Sequence, residues 1–308
     1  MPDHRPATHG HDHDDAHRSV DGHPYEIWDV FTRTPLEGNP LGVFPRAEEI
    51  PSRLYQAAAR ELNLSETVFI LPDDPAESDA HIRIFTPAAE LPFAGHPTLG
   101  AAYAIATRTG AGRVRLRTGS GIITVRFTRD ADGAIVRGEM EQPIPTVAPY
   151  PRTEALCAAL GLAPEALSLP VEIYDNGPRH VVVVIDALAT LSALAPEMTA
   201  LAALGPQGIA VIAPGPEGRD DQVRSRNFCP GLGVPEDPAT GSAAGPVAVH
   251  LLRHGRLGDG EPLQILQGVE IGRPSRLEAV AQGTPGRVAG VRVAGAAVRV
   301  AAGHYRLG

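Results

Sequence analysis

The side chains best suited to moving protons lie in three short stretches of this sequence. RIFTPAAELPFAGHPTLGAAYAI (residues 83–105) sets His96 in a Gly/Pro turn that opens into an apolar run. RNFCPGLGVPEDPATGSAAGPVAVHLLRH (residues 226–254) sets Asp237 in a turn of the same design. The third stretch, LNLSETVFIL (residues 62–71), carries Glu66 directly before an apolar run. A carboxylate flanked by Leu64, Val68 and Phe69 is partly removed from water, which raises its pKa toward values useful for proton transfer. The plainer alternatives stay open: Glu66 as a cap or surface residue, Asp237 as an Asx cap in a proline turn, His96 as a capping imidazole.

Each turn opens into a predicted helix, Thr98–Ala106 ending at Gly110 and Ser242–His254 ending at Gly255. Gly95, His96 and Pro97 fall in the first turn of one, and Thr240, Gly241 and Ser242 at the start of the other. Free backbone N–H groups and the positive end of the macrodipole make such starts suited to carboxylates. Two facing starts would form a cradle for a small carboxylic acid, although well-capped helices with no ligand look the same in sequence. No Gly-rich phosphate loop or dinucleotide fingerprint follows a strand, and TGSAAG is not a G-x-S-x-G elbow. Cys157 and Cys229 read as buried structural thiols, the latter among apolar residues with no adjacent base.

The elements that must position these groups repeat. Strand-like YEIWDVF, GNPLGVF, ETVFIL and HIRIFT precede the first helix; VRLRTGSG and IITVRFT follow it, turning at Gly119–Gly121. After the proline-rich MEQPIPTVAPYPRT, read as a linker, a helix (TEALCAALG) leads to NGPRHVVVVI, GIAVIAP and VRSRNF before the second helix. Aligning Arg83 with Arg226 also places Phe85 on Phe228, Pro87 on Pro230 and Pro92 on Pro235, and sets GNPLGVF opposite NGPRHVVVV. The expected architecture is α+β, with two pseudo-symmetric domains and a site between them. The first domain is expected over residues 25–145, completed by strands from 290–308, and the second over 146–289. Residues 1–24, holding His4, His9, His11, His13, His17 and His23 among acidic residues, read as a disordered tail.

Composition narrows the function classes. The 308 residues suffice for two domains, and 43% hydrophobic with 20% charged residues is ordinary for a globular protein. A net charge of −9 without a basic cluster argues against nucleic acid or an anionic membrane as partner. No apolar run reaches the roughly 20 residues that span a bilayer. Two distant cysteines and no signal-like N-terminus fit a cytoplasmic setting.

EGNPLGVF, ELNLSETVFI, RIFTPAAELPFAGHPTLG and EDPATGSAAGP together resemble the PhzF-like family, the phenazine-biosynthesis isomerases, over residues 25–308. The resemblance implies a diaminopimelate-epimerase-like fold, each domain a sheet wrapped around a central helix, and a cofactor-free, metal-free isomerase, typically a homodimer. It implies Glu66, His96 and Asp237 as catalytic residues and Ser65, Gly95, Thr240, Gly241 and Ser242 as residues binding an anthranilate-like cyclohexadiene amino acid. Glu66 would remove a proton from C3 of the ring and a proton would return at C1. MEQPIPT, VEIYDNGPRHVVV, SAAGPVAVHLLRHG and QILQGVEIGRPS strengthen it. Other readings are an isomerase or epimerase of another small cyclic or amino acid substrate, or a silent binding protein with a metal-binding His-rich tail. A cysteine-dependent epimerase needs a thiol at each helix start, where this chain has His96 and Thr240–Ser242.

Overall fold

The computed structural model describes residues 22–215 and 221–307. Of the N-terminal segment read as a tail, residues 1–21 lie outside this range. His23 and Pro24 already belong to the first strand, His23–Val30, whose pairing with Ala297–Tyr305 begins at His23 and Tyr305. The strand thus starts two residues earlier than expected, because the C-terminal strand supplies hydrogen-bond partners that no local pattern reveals.

Sixteen of the strands form one continuous ribbon with an internal symmetry. At its middle, Ile135–Gln142 pairs antiparallel with Arg287–Gly295. Outward from Ile135–Gln142 lie Gly121–Arg129, Arg113–Thr118, Ala80–Phe85, Glu66–Leu71, Asn39–Phe44, His23–Val30 and Ala297–Tyr305. Outward from Arg287–Gly295 lie Ser275–Thr284, Pro262–Gln267, Gln222–Cys229, Gly208–Pro214, Arg179–Val184, Glu172–Asp175 and Thr146–Pro149. The sense of pairing is the same at every step on both sides: two antiparallel, one parallel, one antiparallel, one parallel, two antiparallel.

The two outermost strands are exchanged between halves. Thr146–Pro149 follows the first half in sequence but pairs with the second, and Ala297–Tyr305 follows the second but pairs with the first. The proline-rich stretch read as a linker therefore contains a strand. Its residues Met140–Gln142 also finish the strand Ile135–Gln142. Prolines are tolerated there because Thr146–Pro149 lies at the end of the ribbon, where half the backbone groups need no ladder partner.

Each half wraps around one helix. Gly95–Thr109 packs on strands of the first half and Gly241–Arg253 on strands of the second, and the two helices touch. Both are buried on nearly every side, as expected for helices built from Gly, Ala, Val and Leu with no polar face. The first ends at Gly110 in the left-handed conformation, φ 75°, which glycine adopts without strain. Pro246 lies inside the second helix and has no N–H to give to the carbonyl of Ser242 one turn back. The Nδ2 of Asn176 donates to that carbonyl instead, at 3.0 Å. At the helix C-terminus, Glu172 accepts from Tyr174 Oη at 2.6 Å and faces His250, His254 and Arg253; the Arg253 guanidinium complements the negative end of the dipole. No helix among the described residues is long and apolar enough to cross a membrane.

Candidate active site

The starts of the two central helices meet at the seam. A Cβ added to Gly95 would come within 2.4 Å of the Ser242 backbone nitrogen and 2.5 Å of the Gly241 carbonyl carbon. Only glycine permits this approach. The facing helix starts expected from sequence are therefore in contact, with their first-turn N–H groups close together.

Glu66 opens the strand Glu66–Leu71 and is held toward the seam, its side chain 14% exposed. Its Oε2 lies 3.4 Å from Nε2 of His96, in the first turn of the first central helix. Burial, and secondarily the negative charge of Asp237, push the Glu66 carboxyl well above the usual carboxylate range. Burial depresses the His96 pKa to about 3, so its ring is neutral near pH 7. Neither Glu66 nor His96 acts as a helix cap: the N-cap position of this helix is Ala94, and Glu66 faces the site.

Asp237 ends the short strand Val234–Asp237 and is also buried. Asn39 Nδ2 donates to its Oδ1 at 2.8 Å and Thr240 Oγ1 to its Oδ2 at 2.5 Å. Burial raises the Asp237 carboxyl, while these two bonds pull it back down. The Asx-cap alternative does not describe Asp237, because the second central helix has Thr240 at its N-cap and no side-chain cap bond. Gln267 braces the turn, its Nε2 donating to the Asp237 carbonyl at 2.7 Å and to Thr240 Oγ1 at 3.0 Å.

Asn39 joins the two halves of the site. Besides Asp237, its Nδ2 donates to the carbonyl of Ala239 at 2.9 Å and faces Nδ1 of His96 at 3.3 Å. With its two hydrogens directed at Asp237 and Ala239, the amide nitrogen offers no acceptor to an Nδ1–H, which places the His96 proton on Nε2, facing Glu66. Asn39, Gln267, Asn176 and His180 carry the site's supporting bonds, and sequence reasoning singled out none of them. Asn39 and His180 sit in GNPLGVF and NGPRHVVVV, the segments aligned between halves; a polar side chain at the head of a buried apolar strand was the available signal.

A small cavity of about 60 Å³ lies at the seam, lined by Glu66, Cys229, Asp237, Thr240, Ser242 and His180 with Phe93, Leu91 and Leu232 among its apolar wall. Glu66, Asp237, Thr240 and Ser242 thus come together as expected, with His96, Gly95 and Gly241 immediately behind them. Ser65, next to Glu66, is half-buried and outside the cavity wall. Cys229 departs from expectation: it lines the same cavity as the two carboxylates rather than lying among apolar residues alone. Burial and the charges of Asp237 and Glu66 push its thiol pKa well up, so it stands as a neutral thiol donating to Asn227 Oδ1 at 3.3 Å. Cys157 is buried in the second half, as expected.

Two similar sheet-wrapped helices with polar groups at their touching N-termini define the diaminopimelate-epimerase-like fold class. A phenazine biosynthesis protein structure from Bacillus anthracis superposes with a TM-score of 0.81 at 24% identity, covering 93% of this chain and 99% of that one. A probable proline racemase from Agrobacterium radiobacter superposes at 0.61 and 12% identity, covering 92% of each; at these identities both speak to the fold alone. Residues 28–303 match the phenazine biosynthesis-like protein family, PhzC-PhzF, and the chain belongs to that family. It is 46% identical over 285 residues to trans-2,3-dihydro-3-hydroxyanthranilate isomerase of Pseudomonas aeruginosa, covering 92% of this chain and all of that one.

Proposed function

We propose that this protein is a phenazine-biosynthesis isomerase that converts trans-2,3-dihydro-3-hydroxyanthranilate to 6-amino-5-oxocyclohex-2-ene-1-carboxylate without a cofactor. The observation that carries the reading is Glu66, a buried carboxyl with raised pKa, beside a neutral His96 in one wall of a seam whose other wall is the start of the second central helix. The 46% identity to an enzyme of that name supplies the substrate.

In this reading Glu66 takes the proton from C3 of the cyclohexadiene ring. The electron pair moves through the diene and a proton returns at C1, giving an enol that tautomerises to the amino-ketone. A single carboxyl that takes and returns a proton works best with a pKa near the working pH, and burial beside a second carboxylate shifts Glu66 upward, in that direction. Asp237, held by Asn39 and Thr240, and His96 would hold the amino and hydroxyl groups of the substrate. Ser242 and the N–H groups near Gly95 and Gly241 would receive its carboxylate. The cavity is far smaller than the roughly 300 Å³ of an ordinary ligand site, so substrate entry requires its walls to part. We read the active species as a cytoplasmic homodimer organised as two domains, 25–145 with the C-terminal strands and 146–289; sedimentation would test the dimer.

The direct test incubates the purified protein with trans-2,3-dihydro-3-hydroxyanthranilate and follows the diene absorbance. Loss of absorbance, with the amino-ketone or its condensation products formed, is expected. Unchanged absorbance where a Pseudomonas isomerase turns over would refute the substrate assignment.

A further inference from the structure

The internal symmetry places a second polar pair at the seam, opposite Glu66 and His96. In the first half, Leu41 pairs in parallel register with Glu66, the first residue of its strand. In the second half, His180 pairs in the same register with Gly208, likewise the first residue of its strand. Gly208 therefore stands where Glu66 stands, and it has no side chain. The ring of His180 fills that space: a Cβ on Gly208 would lie 2.6 Å from His180 Nδ1. From there His180 Nε2 reaches Ser242 Oγ at 3.1 Å. Ser242 lies in the first turn of the second central helix, as His96 does in the first. Glu66–His96 in one wall is thus mirrored by His180–Ser242 in the other, and both His180 and Ser242 line the cavity.

The surroundings of His180 fix which nitrogen carries its proton. Its ring is buried, and Nδ1 lies against the Gly208 backbone without a hydrogen-bond partner among the described residues. A buried N–H without an acceptor is the least tolerated orphan in protein interiors, so Nδ1 is the unprotonated nitrogen. Burial keeps the ring neutral near pH 7, its pKa lowered to about 4. Nε2–H then donates to Ser242 Oγ. A hydroxyl that accepts from the imidazole keeps its own hydrogen free to donate elsewhere. The Ser242 carbonyl is held by Asn176 at 3.0 Å, so the residue is fixed at both ends.

We propose that His180 is a positioning residue that sets Ser242 as an obligate hydrogen-bond donor to the substrate's carboxylate, making this wall the anion-recognising half of the site. The proposal rests on the functional reading above only for the presence of a carboxylate next to an amine on a six-membered ring. It explains the asymmetry of a symmetric fold: one half carries the proton carrier, and the other replaces it with glycine and uses the vacated space to aim a hydroxyl.

The test uses anthranilate as the carboxylate probe and aniline as its carboxylate-free counterpart, with binding measured by calorimetry or competition. His180→Leu is expected to weaken anthranilate about tenfold and leave aniline unchanged. His180→Gln, whose amide nitrogen can replace Nε2–H, is expected to recover most of that loss. Adding His180→Leu to Ser242→Ala should cost nothing further, because the hydroxyl it aims is gone. In turnover the loss should appear in KM more than in kcat. Equal anthranilate affinity in wild type and a folded His180→Leu variant would overturn the proposal. So would an undiminished cost in the Ser242→Ala background, or no saturable anthranilate binding to the wild type. If anthranilate binding depends on His180 and Ser242 but the dihydro-hydroxyanthranilate is not turned over, the proposal stands and the substrate assignment falls.

Discussion

His96 Nε2 lies 3.4 Å from Glu66 Oε2, yet neither atom has a hydrogen-bond partner among the described residues. Two buried polar atoms facing one another without a formed bond are costly in a finished interior and are a natural feature of a site that a ligand completes. The arrangement leaves Glu66 available to a reacting proton while the imidazole stands ready to donate beside it.

Removing the carboxylate should remove the chemistry and little else. Glu66→Gln keeps the volume and is expected to lower kcat by about 10²–10⁴-fold, the range typical of a positioned acid–base group. Circular dichroism should be unaltered. Retained turnover would take Glu66 out of the proton-transfer role.

Asn39 spans the seam, and its loss should be felt on both sides. Asn39→Ala removes donors to Asp237 and Ala239 and frees the His96 ring. We expect a stability loss of about 1–3 kcal/mol in urea titration, from buried acceptors left unpaired. A fall in kcat of roughly 10²-fold should accompany it, from misplacement of Asp237 and His96, the groups proposed to hold the substrate. Wild-type kcat in this variant would show that Asn39 is only structural.

The contact between helix starts depends on one hydrogen atom. Gly95→Ala places a methyl group 2.4 Å from the Ser242 backbone nitrogen, which cannot swing away as a side chain would. Overpacking of this kind costs about 1–3 kcal/mol, and the displaced starts should also lose affinity for carboxylates. A melting temperature and anthranilate affinity equal to wild type would contradict the close approach.

Because burial and Asp237 raise the Glu66 carboxyl, the acidic limb of the kcat/KM profile should lie well above 4.5. Activity should fall as pH drops through that limb, since the proposed mechanism needs Glu66 ionised to accept a proton. A limb at the ordinary carboxylate value would mean that another group governs it.

His96 makes a separate contribution to stability, of opposite sign to a paired histidine. Its folded pKa is about 3 and its unfolded value 6.5. Below pH 6.5 the unfolded chain takes up a proton that the native ring refuses until about pH 3. Stability from this group therefore falls with pH across that window, by at most about 1.4 kcal/mol per pH unit. Urea midpoints at pH 6.5 and 5 should fall less in His96→Gln than in wild type; equal falls would show that His96 protonates in the native state.

The sequence alone determined the two central helices, their glycine-rich starts and the placement of His96, Asp237 and Ser242 in the turns before or within them. These follow from local rules: apolar runs of helix formers, glycine at the ends, proline in the turns. It determined the repeat as well, because equivalent segments must solve the same local problem twice. The role proposed for Glu66 is not local; a carboxylate before an apolar strand reads equally as a cap or a surface residue, and family motifs supplied the expectation. Only the tertiary structure decided the rest. It turned the proline-rich stretch into a strand and brought Cys229 into the cavity. It joined Asn39 to Asp237 across 198 residues and set His180 in the space that Gly208 leaves. The reason is physical: hydrogen bonds and desolvation act between groups that meet in space, and their partners here lie in the opposite half or on a neighbouring strand, beyond the reach of any local pattern.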